Sequence, residues 1–189
     1  MVKISNFPHL KTLADFEFSF QPQINEVQIK NLVSLGFMER AENIVFLGSS
    51  GVGETHLATS LGIESSRNRR STYFIKCHNL IQSLKSAKDE GRLEARLKHY
   101  ARYQLLIIDE IGYLPLQPGD ANLLFQIIDR RYEKKSTIVI SNINFDEWAT
   151  ISHDEQVANT IIDRLLHHSH VISITGDSYR LRNHMHQKE

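Results

Sequence analysis

The chain has 189 residues, of which 41% are hydrophobic and 23% charged, a composition typical of one globular domain with a proper core. Lys and Arg number 22, as do Asp and Glu, so no global positive field marks the chain for nucleic acid and any DNA contact must come from a local patch. The single cysteine excludes an internal disulfide and fits a reducing compartment. No apolar run approaches a membrane span and no signal-peptide core is seen, so we expect a cytoplasmic protein without membrane contact.

The first 22 residues are rich in phenylalanine. The rings alternate with polar residues between Pro8 and Pro22, so we expect an extended arm. We favour packing of these rings on the core over stacking against nucleic-acid bases. Apolar spacing predicts a helix over residues 25–37 that ends near Gly36.

From residue 44 onward, short apolar runs alternate with segments of helical periodicity. This alternation predicts right-handed crossovers and an α/β fold of three α/β/α layers around a mainly parallel five-stranded sheet. Asp120 is expected to cap the fourth of these helices. The predicted strands are 44–47, 72–75, 104–109, 136–140 and 171–174. The predicted helices are 56–64, 78–88, a piece around Leu93 and Leu97, a segment from Asp120 to the cations Arg130, Arg131, Lys134 and Lys135, and 153–168.

A glycine-rich stretch joins the first predicted strand to the next helix. It meets the phosphate-binding pattern G-x-x-x-x-G-K-[ST] except at Glu54, where a lysine should reach the terminal phosphates. Its glycines allow main-chain N–H groups to wrap phosphate oxygens, and Thr55 offers a hydroxyl to magnesium. The stretch therefore predicts a P-loop site for ATP or ADP with Mg²⁺. The residues assigned to nucleotide binding are Gly48, Ser49, Ser50, Gly51, Val52, Gly53, Glu54, Thr55 and His56.

Glu54 places a negative charge beside a polyanion. Two unit charges about 4 Å apart interact by roughly 4 kcal/mol at an effective dielectric constant near 20. We therefore expect nucleotide affinity to fall by orders of magnitude and hydrolysis to fall further, less so if Glu54 turns to solvent or protonates. Two origins fit this residue: natural decay of one copy, or an engineered replacement of the lysine.

Acidic and amide side chains follow two of the other predicted strands. Asp109, at a strand tip, can hold magnesium through water, and Glu110 can orient or deprotonate an attacking water. Asn142 follows the fourth strand. Because the carboxyl ends of parallel strands line the ligand crevice, Asn142 is expected to bond the attacking water or the terminal phosphate.

A locally basic stretch lies between residues 78 and 102, where six cations outnumber three acids. Lys85, Lys88, Arg92 and Arg96 recur every three or four residues and form one helical stripe unless Gly91 breaks it. A DNA-binding face and an ordinary solvated face are equally favoured. DNA affinity through such a patch would fall steeply with salt.

Three histidines cluster near the end of the last predicted helix. They are His167, His168 and His170, with Asp163 close in sequence. No cysteine or suitably spaced acid completes a metal-ligand set, so we interpret them as ordinary positions of a helix end.

The order of these motifs resembles that of AAA+ ATPases of the DnaA/DnaC branch. Within that branch, several stretches closely resemble the IstB family, the ATP-binding helpers of insertion-sequence transposition. The similarity covers nearly the whole chain. The matching stretches are 13–22 (LADFEFSFQP), 100–103 (YARY), 107–115 (IIDEIGYLP) and 163–170 (DRLLHHSH).

The resemblance implies a role for two arginines. Arg164 would be an arginine finger that reaches the nucleotide of a neighbouring subunit in a homo-oligomer, and Arg180 a second sensor on its own subunit's phosphate. A surface salt bridge to Asp163 or Asp177, respectively, is the alternative for each.

The resemblance also implies an organisation and partners. Residues 1–43 would be an N-terminal arm and helix, 44–175 the AAA+ ATPase core, and 176–189 a sensor-two segment with a truncated or absent lid. Family members usually carry a further N-terminal helical segment, so this chain is expected to start near the ATPase core.

DNA and a transposase are the implied partners, with the ATPase defective because of Glu54. A non-catalytic DNA- or partner-binding scaffold and a helicase loader of the DnaC/DnaI type remain alternatives. A small-molecule kinase suits the acid pair and the Asn142 sensor less well.

Overall fold

The computed structural model describes residues 5–178. Its five strands form one sheet in the order β2-β3-β4-β1-β5, and every pairing is parallel. The predicted five-stranded parallel sheet is confirmed. The strands are β1 (Asn43–Gly48), β2 (Thr72–Lys76), β3 (Leu105–Ile111), β4 (Ser136–Ser141) and β5 (Ser169–Ile174).

Eight α-helices connect and flank the strands within the described residues. They are α1 (Glu26–Val33), α2 (Gly36–Glu39), α3 (Glu54–Arg67), α4 (Cys77–Asp89), α5 (Leu93–Ala101), α6 (Asp120–Arg131), α7 (Phe145–Ser152) and α8 (Glu155–Leu166). Two short 3-10 turns, Leu13–Asp15 and Phe18–Phe20, precede them. Within residues 5–178, no helix combines the length and apolarity that a membrane crossing requires.

The sheet is covered on both faces, which gives the three expected layers. In β3, Leu105 and Ile107 pack with α1, α3 and the N-terminal arm, whereas Leu106 and Ile108 pack with α4 to α8. Side chains of a strand alternate between the two faces, and a parallel sheet buried on both sides needs a continuous apolar run. All four of these β3 side chains are completely buried.

The N-terminal arm departs from its predicted extended conformation. Residues 18–20 form a 3-10 turn, and the rings of Phe16 and Phe18 contact each other edge to face with centroids 4.8 Å apart. Both rings, with Phe7, pack against the hydrophobic core. Packing of the arm on the core was therefore correctly predicted, and its extended shape was wrong.

The helix predicted over residues 25–37 is also divided. Leu35 adopts a left-handed conformation (φ 63°) between α1 and α2, a geometry that a continuous right-handed helix excludes.

The helix predicted over residues 153–168 is confirmed as α8, which is two residues shorter at each end. His153 has φ 58° and ends α7, an element that was not predicted. The preceding Asn144 and Glu147 form a reciprocal capping box that fixes the start of α7.

Asp120 is not the cap of α6. Gly119, with φ 90°, occupies the N-cap position, and Asp120 is the first helical residue. Its carboxylate instead accepts a 2.9 Å hydrogen bond from the backbone N–H of Gln117.

Arg131, predicted only as a helix-end cation, is 1% exposed. Its guanidinium donates to the carbonyl oxygens of Tyr103 (2.7 Å) and Ser136 (2.5 Å) and to Thr137 Oγ1 (2.9 Å). Burial lowers the pKa of Arg131 to about 9. This side chain therefore ties the end of α6 to the entrances of β3 and β4.

Candidate functional site

The carboxyl ends of β1, β3 and β4 meet around the glycine-rich loop. Two cavities lie there, a cleft of about 570 Å³ and a smaller pocket of about 80 Å³. Glu54, Thr55, Asp109 and Glu110 line both of them. The motifs predicted separately from the sequence thus come together at one edge of the sheet.

The loop curls through two glycines with positive φ, Gly51 (89°) and Gly53 (113°). Gly53 is the N-cap of α3, so the helix begins directly at Glu54. Val52 is buried in the core, which leaves only its main chain for a ligand. Ser50 lines the smaller pocket, whereas Ser49 lines neither cavity.

Glu54 folds inward rather than toward solvent. It is 5% exposed, and its Oε1 atom has no hydrogen-bond partner. A Cβ placed on Gly48 would lie only 2.5 Å from this oxygen, so the carboxyl group rests against the start of the loop.

Burial and the nearby Asp109 charge raise the pKa of Glu54 to about 7, although its own backbone N–H opposes the shift. The carboxyl group thus sits at the N-terminus of α3, where an anionic ligand would bind.

Thr55 and Asp109 form the second half of the site. Thr55 Oγ1 donates a 3.0 Å hydrogen bond to Asp109 Oδ2. Burial raises the pKa of Asp109, and the backbone N–H of Glu110, 2.7 Å from Asp109 Oδ1, opposes the shift. A hydroxyl and a carboxylate at this separation are the oxygen ligands that Mg²⁺ prefers, so this part of the site fits the expected ion.

Glu110 stands on an irregular piece of β3. The register between β3 and β4 shifts between Ile108 and Ile111, and Glu110 has φ 60°, an uncommon value for a non-glycine residue. A bulge of this kind re-aims side chains and is frequent beside functional sites. Here it brings consecutive acids, Asp109 and Glu110, to the same cavities.

Asn142 lies one residue beyond β4 and is exposed. It lines the smaller pocket together with Glu54, Thr55, Asp109 and Glu110. The predicted convergence of the three strand ends is therefore observed.

Arg164 lies elsewhere, on α8. Its Nε is 3.4 Å from Asp129 and its guanidinium 3.6 Å from Asp163, and it stacks over the ring of Tyr132 at 4.6 Å. Arg164 lines neither of the two cavities around the glycine-rich loop. The ion pair with Asp163, which was the alternative to a finger role, is present together with one to Asp129. Arg180 lies outside the described residues.

Comparisons with known proteins identify the family. The family described as IstB-like ATP binding protein matches residues 1–187. The chain belongs to the IstB-like ATP-binding protein family. It is 61% identical over 184 residues to the ATP-binding protein of insertion sequence IS232 from Bacillus thuringiensis subsp. berliner, covering 97% of this chain and 74% of that protein.

A second relative, the ATP-binding protein of insertion sequence IS5376 from Geobacillus stearothermophilus, is 46% identical over 189 residues, covering 100% of this chain and 75% of the relative.

Solved structures confirm the AAA+ P-loop fold. The DnaC helicase loader superposes with a TM-score of 0.66 at 27% identity, covering 78% of this chain and 86% of that chain. AMPPCP-bound DnaA from Aquifex aeolicus superposes with a TM-score of 0.71 at 19% identity, covering 96% of this chain and 56% of that chain. At this identity the likeness to DnaA concerns the fold alone.

The basic stripe of this IstB-like protein is not one helix. Gly91 (φ 68°) separates α4 from α5, so Lys85 and Lys88 lie on α4, Arg92 is the N-cap of α5, and Arg96 lies within α5. The sequence analysis expected one helical stripe unless Gly91 broke it, and Gly91 does break it by supplying a left-handed turn after α4.

Two of these cations already have acidic partners. Lys85 is 3.3 Å from Asp120 and donates to Gln117 at 2.9 Å. Arg92 pairs with Glu90. Lys88, in contrast, is exposed. The four cations are thus not equally free to meet a phosphate backbone.

Lys76 was missed by the sequence analysis. Its Nζ is 2.9 Å from Glu110 Oε1, and it lines the larger cleft. Lys76 is also the register partner of Asp109. The signal was available, because Lys76 ends the strand next to β3 and parallel strands end at the same edge.

The N-terminal arm closes one side of the larger cleft, which the sequence analysis also missed. Phe16 packs on Gly53, where an added Cβ would lie 2.7 Å from the ring. His56 Nε2 contacts the carbonyl oxygen of Thr12 at 2.8 Å. The arm therefore packs directly on the loop and on the first turn of α3.

Proposed function

We propose that this IstB-like protein is an ATP-binding helper of DNA transposition, which assembles on DNA and directs or stimulates a transposase. We further propose that Glu54 impairs nucleotide binding and hydrolysis in this chain. The observation that carries the second part is the inward-facing, buried carboxyl group of Glu54 inside a site whose other polar groups are in place.

Each polar group has a proposed role in ATP hydrolysis. Thr55 and Asp109 would hold Mg²⁺, which when bound supplies positive charge to the phosphate oxygens. Glu110 would orient an attacking water and accept its proton, and Asn142 would hydrogen-bond that water or the terminal phosphate. Glu110 is paired with Lys76. Its carboxylate must therefore release this lysine before it can accept a proton from water.

The glycine-rich loop with Glu54 fits the phosphates of a nucleotide less well than Thr55 and Asp109 fit Mg²⁺. A charged Glu54 would repel phosphates from the N-terminus of α3, and its carboxyl group rests against Gly48 where the loop begins to curl. Since the pKa of Glu54 is about 7, a substantial fraction of the side chain is neutral near pH 7. Neutral Glu54 removes the repulsion but supplies no cation, so phosphate binding stays weak.

Nucleotide titration of three chains tests this proposal. ATP binding is measured by calorimetry, and phosphate release is measured with and without DNA, for the parent chain, Glu54→Gln and Glu54→Lys. We expect affinity to rise from parent to Gln to Lys, with DNA-stimulated hydrolysis only in the Lys chain. Glu54→Lys/Glu110→Gln is the control that should bind ATP without hydrolysing it. Submicromolar ATP binding by the parent chain would refute impairment by Glu54.

A non-catalytic scaffold is the second candidate function. The observation in its favour is that Glu54 occupies the anion-binding end of α3, at the position where the P-loop pattern requires a lysine. If Glu54→Lys stays inactive with DNA while the folded chain still binds DNA, the scaffold is favoured.

A helicase loader is the remaining alternative, because the DnaC loader is among the similar structures. The insertion-sequence relatives and the family match support the transposition role instead. Pulldown with purified transposase and purified replicative helicase separates the two.

A further inference from the structure

Three side chains with metal-ligand chemistry meet where α6 and α8 end. Glu133 lies in the turn after α6 and has φ 57°, while His167 and His168 follow α8. Glu133 Oε1 is 3.3 Å from His167 Nδ1 and 3.7 Å from His168 Nε2. The three ligand atoms all lie within 4.8 Å of one another.

These separations fit a small tetrahedral ion. Zinc bonds of about 2.0–2.2 Å to nitrogen and oxygen place neighbouring tetrahedral ligands roughly 3.3–3.5 Å apart. The two contacts with Glu133, 3.3 and 3.7 Å, are close to that length, so the ligand atoms need only small adjustments to surround an ion. All three side chains are exposed, and an ion would reach them without any opening of the fold.

We propose that Glu133, His167 and His168 form a binding site for a divalent transition-metal ion of the zinc class. Two imidazoles and one carboxylate favour zinc over magnesium, which prefers oxygen ligands alone. Three protein ligands leave a fourth coordination position for water or for a group from another molecule. The site is separate from the pair Thr55 and Asp109. The histidines alone did not predict it, because the completing acid comes from the distant end of α6.

Tyr132 makes the site testable in a second way. Its hydroxyl contacts His167 Nδ1, the same atom that would bind the ion, and its ring stacks on His167 with a centroid distance of 5.6 Å. Metal and hydroxyl therefore compete for one nitrogen. Arg164 in turn stacks on the ring of Tyr132. An ion bound to His167 would therefore remove the hydroxyl contact of Tyr132, and Tyr132 is one of the groups that hold Arg164.

The experiment is a titration of the tag-free 189-residue chain with zinc chloride, followed by calorimetry and by the melting temperature. The chain carries His184→Ala and His186→Ala, because these residues outside the described range form a His-x-His sequence. We expect one zinc ion per chain and a zinc-dependent rise in melting temperature. Any effect of magnesium chloride, such as binding at Thr55 and Asp109, should not depend on Glu133, His167 or His168.

Single substitutions then assign the ligands. Glu133→Gln, His167→Ala and His168→Ala should each weaken zinc binding at least tenfold, whereas His78→Ala, at an exposed histidine of α4, should not. Tyr132→Phe keeps the ring and removes the competing hydroxyl, so it should bind zinc as tightly as the parent or more tightly. Absence of saturable binding at millimolar zinc, or binding unaffected by all three ligand substitutions in folded chains, would overturn the proposal.

Discussion

The buried carboxyl group of Glu54 disfavours the binding of phosphate in the site that contains it. At the N-terminus of α3 the helix dipole favours a negative charge, yet burial raises the pKa of the carboxyl group from 4.5 to about 7. Desolvation therefore outweighs the dipole. The Oε1 atom of Glu54 has no hydrogen-bond partner, so the desolvation of this oxygen is not compensated.

The pKa of Glu54 predicts a pH-dependent stability. The folded state holds the proton more tightly than the unfolded state, so stability falls as pH rises from about 4.5 to about 7. Glu54→Gln removes this loss. We expect its free energy of unfolding to exceed that of the parent by about 3 kcal/mol at about pH 8 and to be similar at about pH 4.5. Urea denaturation of both chains at the two pH values measures the difference, and a pH-independent difference would contradict this account.

At the scale of elements, Arg131 links α6 to the entrances of two strands through carbonyl oxygens that lie in the interior. Arg131→Met preserves much of the volume and leaves these acceptors without a donor. We expect a loss of about 3–5 kcal/mol in the free energy of unfolding.

The neighbouring Arg130 is the matched control for that substitution. It pairs with Glu94 on the surface (2.9 and 2.6 Å), so Arg130→Met should cost less than about 1 kcal/mol. Both costs are read from urea denaturation. Equal costs for the two substitutions would show that the buried hydrogen bonds of Arg131 are not the cause.

The sequence predicted the elements that depend on local periodicity and on strand ends. Asp109, Glu110 and Asn142 could be placed together because parallel strands share one carboxyl edge. Arg131 could not be told from Arg130, because both are helix-end cations and only the tertiary packing distinguishes them. The contact of Glu133 with His167 likewise depends on how α6 packs against α8, which periodicity does not encode.

At the scale of the whole molecule, equal numbers of acids and bases leave DNA binding to local patches. If the α4–α5 region is a DNA-binding face rather than a solvated one, exposed Lys88 should contribute one phosphate contact. Lys88→Ala should then make the negative slope of log affinity against log salt concentration shallower by about 0.9. Lys85→Ala should change the slope less, because Lys85 is already paired with Asp120. Fluorescence anisotropy across a salt series measures both slopes, and equal changes would contradict the assignment.

The assembly itself can be tested through Arg164. Because Arg164 lines neither of the two cavities around the glycine-rich loop of its own chain, it could act as a finger only on the nucleotide of a neighbouring chain. In the Glu54→Lys background, Arg164→Ala chains retain the base Glu110 but lack the finger, and Glu110→Gln chains retain the finger but lack the base. Each alone should be inactive.

An equal mixture of these two chains should recover about a quarter of the activity of Glu54→Lys, since half of the sites keep the base and half of their neighbours supply the finger. The measurement is DNA-stimulated phosphate release. Replacing Arg164→Ala by Arg67→Ala, an exposed arginine at the end of α3, should leave that chain active without mixing. If the mixture stays as inactive as its components while Glu54→Lys alone hydrolyses ATP, Arg164 does not act between chains, and its contacts with Asp129, Asp163 and Tyr132 are its whole role.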